Sequence, residues 1–442
     1  MKENKDSFEL ELIDADEDFN ERRIYDSLSG LFNRDGFFQT VRKKIQDTPK
    51  QECVMICFNV RNFKMINNLF GIKKGDEILK NIGDILKKRD KFGDVSARFH
   101  SDNFSIFMTK QSWLDNPLED TVTEIENLVN TSNYHLDLVV GVYMVKRGNH
   151  SIFDMNDKAR LAMKIKRSSG NSQFHFYSDN MMNKVRHQEE VIAEFDDALK
   201  NDEFILFLQP QFDGDGNFVG TEALARWDRK HTGEILPPSR FIEILEETKR
   251  IHRLDQQIWE IAAKQIKKWE NTKFKDVSIS VNISPEDFEC INTQAFFKDL
   301  IERYQIDPKK LHLELTETAI IYSPVKFENF VNEMREAGFI LELDDFGSGY
   351  SSLNVLKNLN VDTIKLDMVF VRGLNNDERA QVIMGSVIEM IKKLGMDIIV
   401  EGVETRGQLD TIKKMGDVHY QGYYFSKPLP VSLFEEKYGD KL

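Results

Sequence analysis

Cysteine is scarce in this sequence, with three residues among 442. Cys53 and Cys57 lie four positions apart on an apparent strand, and Cys290 is remote from both. No histidine stands near them at the spacing of metal ligands. The cysteines are therefore interpreted as small buried hydrophobic residues, and a zinc or redox site is not expected.

Long apolar runs are also lacking. No stretch approaches the ~20 residues that span a bilayer, and the acidic N-terminus has no apolar segment of signal-peptide type. Basic residues are outnumbered 60 to 74, a formal net charge of -14, which argues against coating nucleic acid or anionic membrane through bulk electrostatics. We expect a cytoplasmic protein without a membrane span or a nucleic-acid partner, in which an anionic substrate requires metals or local basic side chains.

The pattern along the chain predicts two domains and a connector. Residues 1–22 form a polar, acidic lead, and residues 23–178 mix helices and strands as an α+β domain. Residues 179–200 contain no glycine or proline and have a helical pattern, which predicts a stiff helical connector. Residues 201–442 then alternate between strand and helix to the end of the chain.

About eight strand and helix units over ~240 residues have the size and period of a TIM-like (β/α)8 barrel. The first two strands of this region, at 204–212 and 218–227, are joined only by the turn DGDGN. This turn is too short for a crossover helix, so the first pair is predicted to be antiparallel.

Polar residues recur where these apolar strands end. Asp344 and Asp345 directly follow the run FILEL, and like charges placed side by side repel unless cations hold them together. The other strand-end residues are Glu222, Asn282, Glu314, Lys365, Glu401 and Gln421. In a barrel all these ends meet at one rim, where active sites of this fold are built. Oxygen ligands favour hard ions, so the pattern predicts two Mg2+ or Mn2+ ions.

Two cations that share a carboxylate are suited to in-line hydrolysis of a phosphodiester. Lys365 could orient the attacking water, and Arg226 could bind a phosphate in bidentate fashion. Each residue alone has a simpler interpretation: Glu222 and Glu401 as surface acids, and Lys365 as an amphipathic surface side chain. Their common position at strand ends favours the catalytic interpretation.

The second region resembles the EAL domain family, phosphodiesterases that linearise cyclic diguanylate (c-di-GMP). The resemblance covers roughly residues 188–440 and rests on a collinear series: EALARW, SVNIS, ELTET, LDDFGSGYSSL, IKLD, VEGVET and QGYYFSKPLP. By this resemblance the metals are bound or supported by Glu222, Asn282, Glu314, Asp344, Asp345, Glu401 and Gln421. Lys365 would position the attacking water, and Glu404 would support the site.

The same resemblance assigns further roles. Glu317 would tether the loop DFGSGYSS, which in this family couples dimerisation to activity, so a homodimer through this domain is expected. The dinucleotide pocket would be formed by Gln209, Leu224, Arg226, Asp345 and Gln421.

The first region resembles GGDEF domains, which make c-di-GMP from GTP, through DSLSGLFNRDGF, NFKMINNLFGIKKGDEIL and ARFHSDNF. The match fails at the positions that the cyclase reaction requires. Asn59 and Asn103 stand where the family has metal-binding acids, and His100 and Ser101 replace the signature glycines. Neutral amides attract magnesium weakly, and side chains in place of glycine crowd a phosphate. The resemblance therefore implies a degenerate GGDEF domain without cyclase activity.

Asn67 and Asp76 match the positions that contact guanine in this family, so GTP could act as a regulator, although a structural role in the helical turn accounts for them equally well. The leading hypothesis is thus a c-di-GMP phosphodiesterase that forms linear pGpG, with an inactive GGDEF domain as regulator. The alternative is a receptor that binds c-di-GMP at its EAL domain without hydrolysing it. A bifunctional enzyme conflicts with Asn59 and Asn103.

Overall fold

The computed structural model describes residues 24–47, 51–131, 134–146, 151–164, 173–322, 324–347, 360–375 and 377–439. The predicted lead at 1–22 lies outside these residues. The chain divides into two units, Met1–His187 and Gln188–Leu442. Within the described residues, no helix combines the length and the apolar character needed to cross a membrane.

The first unit is built on a five-stranded sheet and a separate short strand pair. The described strands of this unit are β1 Cys53–Val60, β2 Val95–His100, β3 Asn103–Thr109, β4 Asn130–Thr131, β5 Tyr134–His135, β6 Leu138–Val145 and β7 Gln173–Phe176. The strand order of the sheet is β2-β3-β1-β6-β7, and its pairs are antiparallel except for β6 with β7, which are parallel. The described helices are Arg34–Asp47, Phe63–Phe70, Ile72–Lys87, Lys110–Asp115, Leu118–Glu126 and Ile152–Met163.

Strand β1 is the centre of this unit and is buried on both faces. Val54 and Ile56 belong to the hydrophobic cluster on one face, while Met55 and Cys57 belong to the cluster on the other. A continuous apolar run is typical of a strand covered on both sides. Cys53 and Cys57 are buried as expected, but Cys290 is exposed, so its interpretation as a buried hydrophobic residue was wrong.

The second unit contains an eight-stranded barrel, which confirms the predicted fold class. The strand order β9-β11-β12-β13-β14-β15-β16-β8 is closed by pairing of β8 with β9. The strands of this unit are β8 Phe204–Phe212, β9 Phe218–Arg229, β10 Glu234–Leu236, β11 Ile279–Ile283, β12 Leu311–Thr316, β13 Leu341–Phe346, β14 Thr363–Leu366, β15 Asp397–Val400, β16 His419–Tyr420 and β17 Leu429–Pro430. Strand β8 is antiparallel to both of its barrel neighbours, so the expected irregular start is confirmed.

Helices surround the barrel and cover its apolar outer surface. The described helices are Ile242–Glu247, Ile251–Trp269, Asp287–Cys290, Thr293–Tyr304, Glu317–Tyr322, Pro324–Glu336, Glu378–Lys393, Arg406–Lys413 and Val431–Tyr438. Ile251–Trp269 shows the helical periodicity that this requires, because its buried residues include Leu254, Ile258 and Ala262.

The predicted connector is a helix over Asp179–Lys200. Its second half carries Val191, Phe195 and Ala198, which are buried in the hydrophobic core of the barrel unit. The division between the units accordingly falls between His187 and Gln188, inside this helix.

Candidate metal centre and substrate pocket

A buried lysine lies among four carboxylates inside the barrel. Nζ of Lys365 on β14 is 2.8 Å from Oε1 of Glu401 and 3.2 Å from Oδ1 of Asp344. It is also 3.3 Å from Oε2 of Glu222 and 3.2 Å from Oε2 of Glu314. No part of the Lys365 side chain is exposed. Five residues that the sequence places on five different strands or strand ends therefore meet at one point.

Strand register explains this convergence. Asn282 on β11 pairs with Glu314 on β12, and Thr316 on β12 pairs with Asp344 on β13. Parallel strands in this register bring their carboxyl ends to one rim, and residues two positions apart share a face. Glu401 and Gln421 each follow the last residue of their strand and reach the same rim.

Burial and mutual repulsion perturb these groups strongly. Burial and then the charge of Glu222 raise the pKa of Glu314 well above its ordinary value. Burial raises the pKa of Glu401 to about 8, although the Lys365 ammonium opposes this shift. Burial alone would lower the pKa of Lys365, but the surrounding carboxylates raise it well above its ordinary value. Lys365 is consequently a permanent cation, and the acids around it exceed the charge that it can balance.

Asp344 and Asp345 occupy a tight corner of this site. Asp345 has a φ of 56°, a left-handed backbone conformation that non-glycine residues seldom adopt. Carboxylate oxygens of Asp344, Asp345 and Glu401 all lie within 4.8 Å of one another. Partial desolvation, and then the charge of Asp344, raises the pKa of Asp345 to about 6. Strained backbone conformations of this kind cluster at functional sites.

Amide side chains complete the wall around Glu222. Asn282 Nδ2 donates to Oε1 of Glu222 at 3.3 Å, and Gln421 Nε2 donates to Oε2. Gln421 also donates to Oε1 of Gln209 at 3.4 Å and accepts from Nε2 of Gln211 at 3.0 Å. Sequence reasoning missed Gln211. The alternation in FLQPQF places Gln209 and Gln211 on one face and could have indicated it.

The donor set fits divalent cations. Both carboxylate oxygens of the fully buried Glu314 lack a hydrogen-bond partner among the described residues, and so does Oδ1 of Asp344. Lys365 lies within ion-pair distance of both side chains but is not aligned to donate to these oxygens. Buried carboxylate oxygens without donors are costly unless a cation binds them. All the candidate ligands offer oxygen, which favours Mg2+ or Mn2+.

A pocket of about 470 Å³ adjoins these acids. Leu224, Asn282 and Asp345 line one side of it, and Glu246 and Asp255 line another. The predicted pocket residue Leu224 is therefore beside the candidate metal ligands. Glu246 and Asp255 could not be predicted from the strand pattern, because both lie on outer helices.

Asp255 and Asp287 form a second buried acid pair at this pocket. Ser284 donates from its hydroxyl to Asp255 and from its backbone N–H to Asp287, each at 2.8 Å. Burial, and then the charge of Asp287, raises the pKa of Asp255 well above its ordinary value. Burial also raises the pKa of Asp287 to about 7. Two buried carboxylates bound to the same serine repel each other when both are ionised, which favours a proton on one of them.

Three predicted residues have more peripheral positions. Arg226 is half-buried, with its guanidinium 5.1 Å from the centre of the Phe207 ring, and no described ion pair holds it. Glu404 is exposed, and its side chain has no described contact with the acid cluster. Glu317 is buried without a hydrogen-bond partner among the described residues. The loop that it was expected to tether, DFGSGYSS at 345–352, lies outside the described part of the chain from residue 348 onwards.

The opposite mouth of the barrel has a cavity of about 650 Å³ that contains none of the predicted metal ligands. His312 and Glu342 line it, and Nδ1 of His312 lies 2.6 Å from Oε1 of Glu342. Burial raises the pKa of Glu342, but the hydrogen bond and charge of His312 outweigh this and hold it below its ordinary value. Neither residue was predicted from the sequence to be part of a site. Alternation in LHLEL and LELDD places them on the same faces as Glu314 and Asp344.

In the first unit, the altered signature forms the turn between β2 and β3. Asn103 Nδ2 lies 3.4 Å from both Nδ1 and the carbonyl oxygen of His100, and Ser101 has a φ of 50°. Oδ2 of Asp102 accepts from the backbone N–H of Val60 at 3.2 Å. Oδ1 of Asn59 is buried and has no partner among the described residues.

The candidate guanine contacts of this unit lie on neighbouring helices. Asn67 is half-buried on Phe63–Phe70, with Oδ1 unpartnered among the described residues. A side chain at position 75 would collide with this oxygen, because its Cβ would lie only 1.9 Å away. Glycine at this position therefore leaves room for the Asn67 side chain. Asp76 is exposed on Ile72–Lys87.

Curated relatives match almost the whole chain. The signaling protein YkoW of Bacillus subtilis is 28% identical over 434 residues, which cover 96% of this chain and 54% of YkoW. The cyclic di-GMP phosphodiesterase NbdA of Pseudomonas aeruginosa is 28% identical over 426 residues, 93% of this chain and 53% of NbdA. The chain thus spans about half the length of these relatives.

Solved structures match the fold. The PaMucR phosphodiesterase in its c-di-GMP complex is 27% identical with a TM-score of 0.53, and the match covers 55% of this chain and 99% of that one. A Vibrio cholerae LapD fragment, S helix-GGDEF-EAL bound to c-di-GMP, covers 94% of this chain and 99% of its own. It is 21% identical with a TM-score of 0.53, a likeness that bears on the fold alone.

Two family models match in succession. The model of the diguanylate cyclase, GGDEF domain, matches residues 23–173. The EAL domain model matches residues 192–428, more than half of the chain. The resemblances found in the sequence are thereby confirmed: the chain belongs to the EAL domain family and carries a GGDEF domain before its EAL domain.

Proposed function

We propose that the barrel hydrolyses c-di-GMP to linear pGpG with two Mg2+ or Mn2+ ions, and that the GGDEF domain makes no c-di-GMP. The observation that carries the proposal is the buried Lys365 ammonium within 3.3 Å of four carboxylates. Similarity to proteins named as phosphodiesterases, NbdA and PaMucR, supports the same reaction class.

In the proposed reaction, a water oxygen forms a bond to one phosphorus, and the bond from that phosphorus to a ribose O3′ breaks. One water proton ends on O3′, and the phosphate stays on the 5′ side. When bound, the divalent cations supply Lewis acidity and lower the pKa of water. Glu222, Asn282, Glu314, Asp344, Asp345, Glu401 and Gln421 are the residues proposed to hold or support them.

The chain's own residues orient the reactants. Lys365 is fixed by its carboxylates and can hold the attacking water by hydrogen bonding, while its charge opposes the negative charge that builds on the phosphoryl group. The pocket beside Leu224 and Asp345 is proposed to receive one nucleotide, and Arg226, which follows the lining residue Ala225 on β9, is proposed to contact a phosphate. Gln209 and Gln421 hold Glu222 in place through the amide chain described above. Glu404 and Glu317 are proposed to support the site through the loops beside it.

The decisive experiment is incubation of the purified chain with c-di-GMP and Mn2+, with products resolved by chromatography. Formation of pGpG that EDTA abolishes is expected. A chain that binds c-di-GMP equally well with and without EDTA and releases it unchanged would instead be a receptor. A parallel incubation with GTP and Mg2+ should give no c-di-GMP, and its appearance would refute the proposal that the GGDEF domain is inactive.

We also propose that the EAL domain forms a homodimer. Apolar side chains are exposed at Met368 and Val369 after β14 and at Val382 and Ile383 on helix Glu378–Lys393. Sedimentation velocity of the chain should show a dimer that Ile383→Asp weakens. Leu433→Asp is the control, because Leu433 is equally apolar and exposed but lies on the C-terminal helix Val431–Tyr438. A monomeric wild-type chain would contradict this proposal.

The GGDEF domain is proposed to act as a regulator, with Asn67 and Asp76 as contacts for GTP. The unpartnered Oδ1 of Asn67 supports this role. Rates of c-di-GMP hydrolysis with and without GTP test it, and the response should be lost in Asn67→Ala. A rate that GTP leaves unchanged would assign these residues to structure alone.

A further inference from the structure

Below the metal ligands, the barrel interior contains a histidine and glutamate pair that the proposed reaction does not use. Glu342 on β13 is 1% exposed, and its Oε1 lies 2.6 Å from Nδ1 of His312 on β12. The interior layers of such barrels are usually filled by branched apolar side chains. A buried acid at this position departs from that pattern, and its presence needs a physical explanation.

The position of Glu342 relates it directly to the metal layer. It pairs in register with Glu314, and it precedes Asp344 by two residues on the same face of β13. Oε2 of Glu342 and both carboxylate oxygens of Glu314 are buried without a donor among the described residues. Two buried acids side by side oppose folding. Lys365 balances only part of this charge, so the pair costs stability unless a proton or a divalent cation is also bound.

His312 holds Glu342 from the side facing away from the metal layer. The His312 side chain is 20% exposed, and that of Glu342 is 2% exposed. Both residues line the cavity at the N-terminal mouth of the barrel, and the histidine is the more exposed of the two. His312 therefore links the cavity to Glu342, and Glu342 lies beside the proposed metal ligand Glu314 in the strand register.

We propose that His312 and Glu342 are positioning residues for the metal centre: His312 fixes Glu342, and Glu342 keeps Glu314 directed at the cations and adds negative potential beneath them. The inference rests on the proposed function, since it assumes that the acids above bind divalent cations. Neither residue lines the pocket proposed for the nucleotide, so their effect is proposed to pass through Glu314.

The test is Mn2+ binding by calorimetry to the full chain without substrate, for Glu342→Gln and Glu342→Ala. Gln keeps the shape and the contact with His312, and Ala removes both. Removal of groups that support metal ligands usually weakens metal affinity about 10–100-fold. We expect a loss of about tenfold or more in the Ala variant. The melting temperature of the Gln variant in EDTA should equal or exceed that of wild type, because the buried repulsion is gone.

Glu203→Gln is the matched control. Glu203 is also a buried acid of this unit, but it accepts from Trp227 Nε1 at 3.0 Å, away from the metal ligands. The Glu203→Gln variant should bind Mn2+ with the affinity of wild type. A merely structural role for Glu342 predicts the reverse pattern, a lower melting temperature and unchanged affinity.

The outcomes separate the two proposals. The positioning role is wrong if wild type binds Mn2+ and Glu342→Ala changes the dissociation constant less than about threefold, because supporting residues usually have a larger effect. The proposed function would still stand in that case. An equal loss in Glu203→Gln would also overturn it, since the effect would then be general. If wild type binds no Mn2+, the proposed function itself fails.

Discussion

Nζ of Lys365 lies 2.8 Å from Oε1 of Glu401 in the barrel interior, where the Lys365 side chain has no exposed surface. Burial of a charge is costly unless partners compensate it. Here the compensation is mutual, because the lysine is the cation shared by four acids. Lys365 should therefore support the fold of the metal-free protein as well as the reaction.

Replacement of Lys365 by Met tests this dual role. The variant leaves buried carboxylates without their cation, and removal of one partner from a buried pair usually costs about 3–5 kcal/mol. We expect the free energy of unfolding in EDTA to fall by about that amount, and hydrolysis to be lost. Unfolding can be followed by tryptophan fluorescence, since Trp227, Trp259 and Trp269 lie in the barrel unit. An unchanged unfolding midpoint would contradict the shared-cation interpretation.

Replacement of Glu222 by Ala should affect stability less than replacement of Lys365. Its removal relieves repulsion among the acids around Lys365, and this offsets the loss of the hydrogen bonds from Asn282 and Gln421, so the melting temperature in EDTA should change little. Turnover should nevertheless drop more than about 100-fold. Removal of a residue that only supports a metal ligand already lowers metal affinity or activity about 10–100-fold, and Glu222 is proposed to be a ligand itself. Steady-state rates with Mn2+ and circular dichroism of the same preparation check both expectations. Retained hydrolysis would remove Glu222 from the proposed ligands.

The Asn103 side chain should contribute little to either activity or stability. It makes only 3.4 Å contacts with His100 in an exposed turn, and surface changes of this kind usually stay within about 0.5 kcal/mol. Asn103→Ala should hydrolyse c-di-GMP at the wild-type rate. Asp102→Ala is the contrasting variant: loss of its hydrogen bond from Val60 should cost about 1 kcal/mol. A lower hydrolysis rate in Asn103→Ala would show that this turn affects the barrel.

The barrel and its acidic rim could be predicted because their signals are local. Each strand is a short apolar run with a polar residue at its end, and parallel strands place such ends together. Asp344 and Asp345 were the clearest case, since adjacent acids at a strand end need no knowledge of the rest of the fold.

Contacts that depend on register and on helix packing could not be predicted in the same way. Periodicity assigns Glu342 to the same face of β13 as Asp344, but the sequence does not tell that His312 on the neighbouring strand reaches it. Asp255 and Asp287 meet only because helix Ile251–Trp269 packs beside the end of β11. Strand β10 pairs with β9 in a short hairpin. It has only three residues, too few to show the alternating pattern that predicts a strand.

The acid pair of Asp255 and Asp287 should make the barrel less stable as the pH rises. Burial raises the folded-state pKa of Asp287 to about 7, above its unfolded value, so the folded state binds more protons. This stabilising contribution is fully present below about pH 4 and is lost as the pH rises through 7. Each unit of difference in pKa corresponds to about 1.4 kcal/mol of unfolding free energy.

Asp287→Asn, which cannot ionise, should flatten this pH dependence when urea unfolding is followed by tryptophan fluorescence between pH 4.5 and 8. The exposed Asp397→Asn should keep the wild-type slope. Equal slopes in all three proteins would mean that Asp255 and Asp287 do not retain a proton in the folded state.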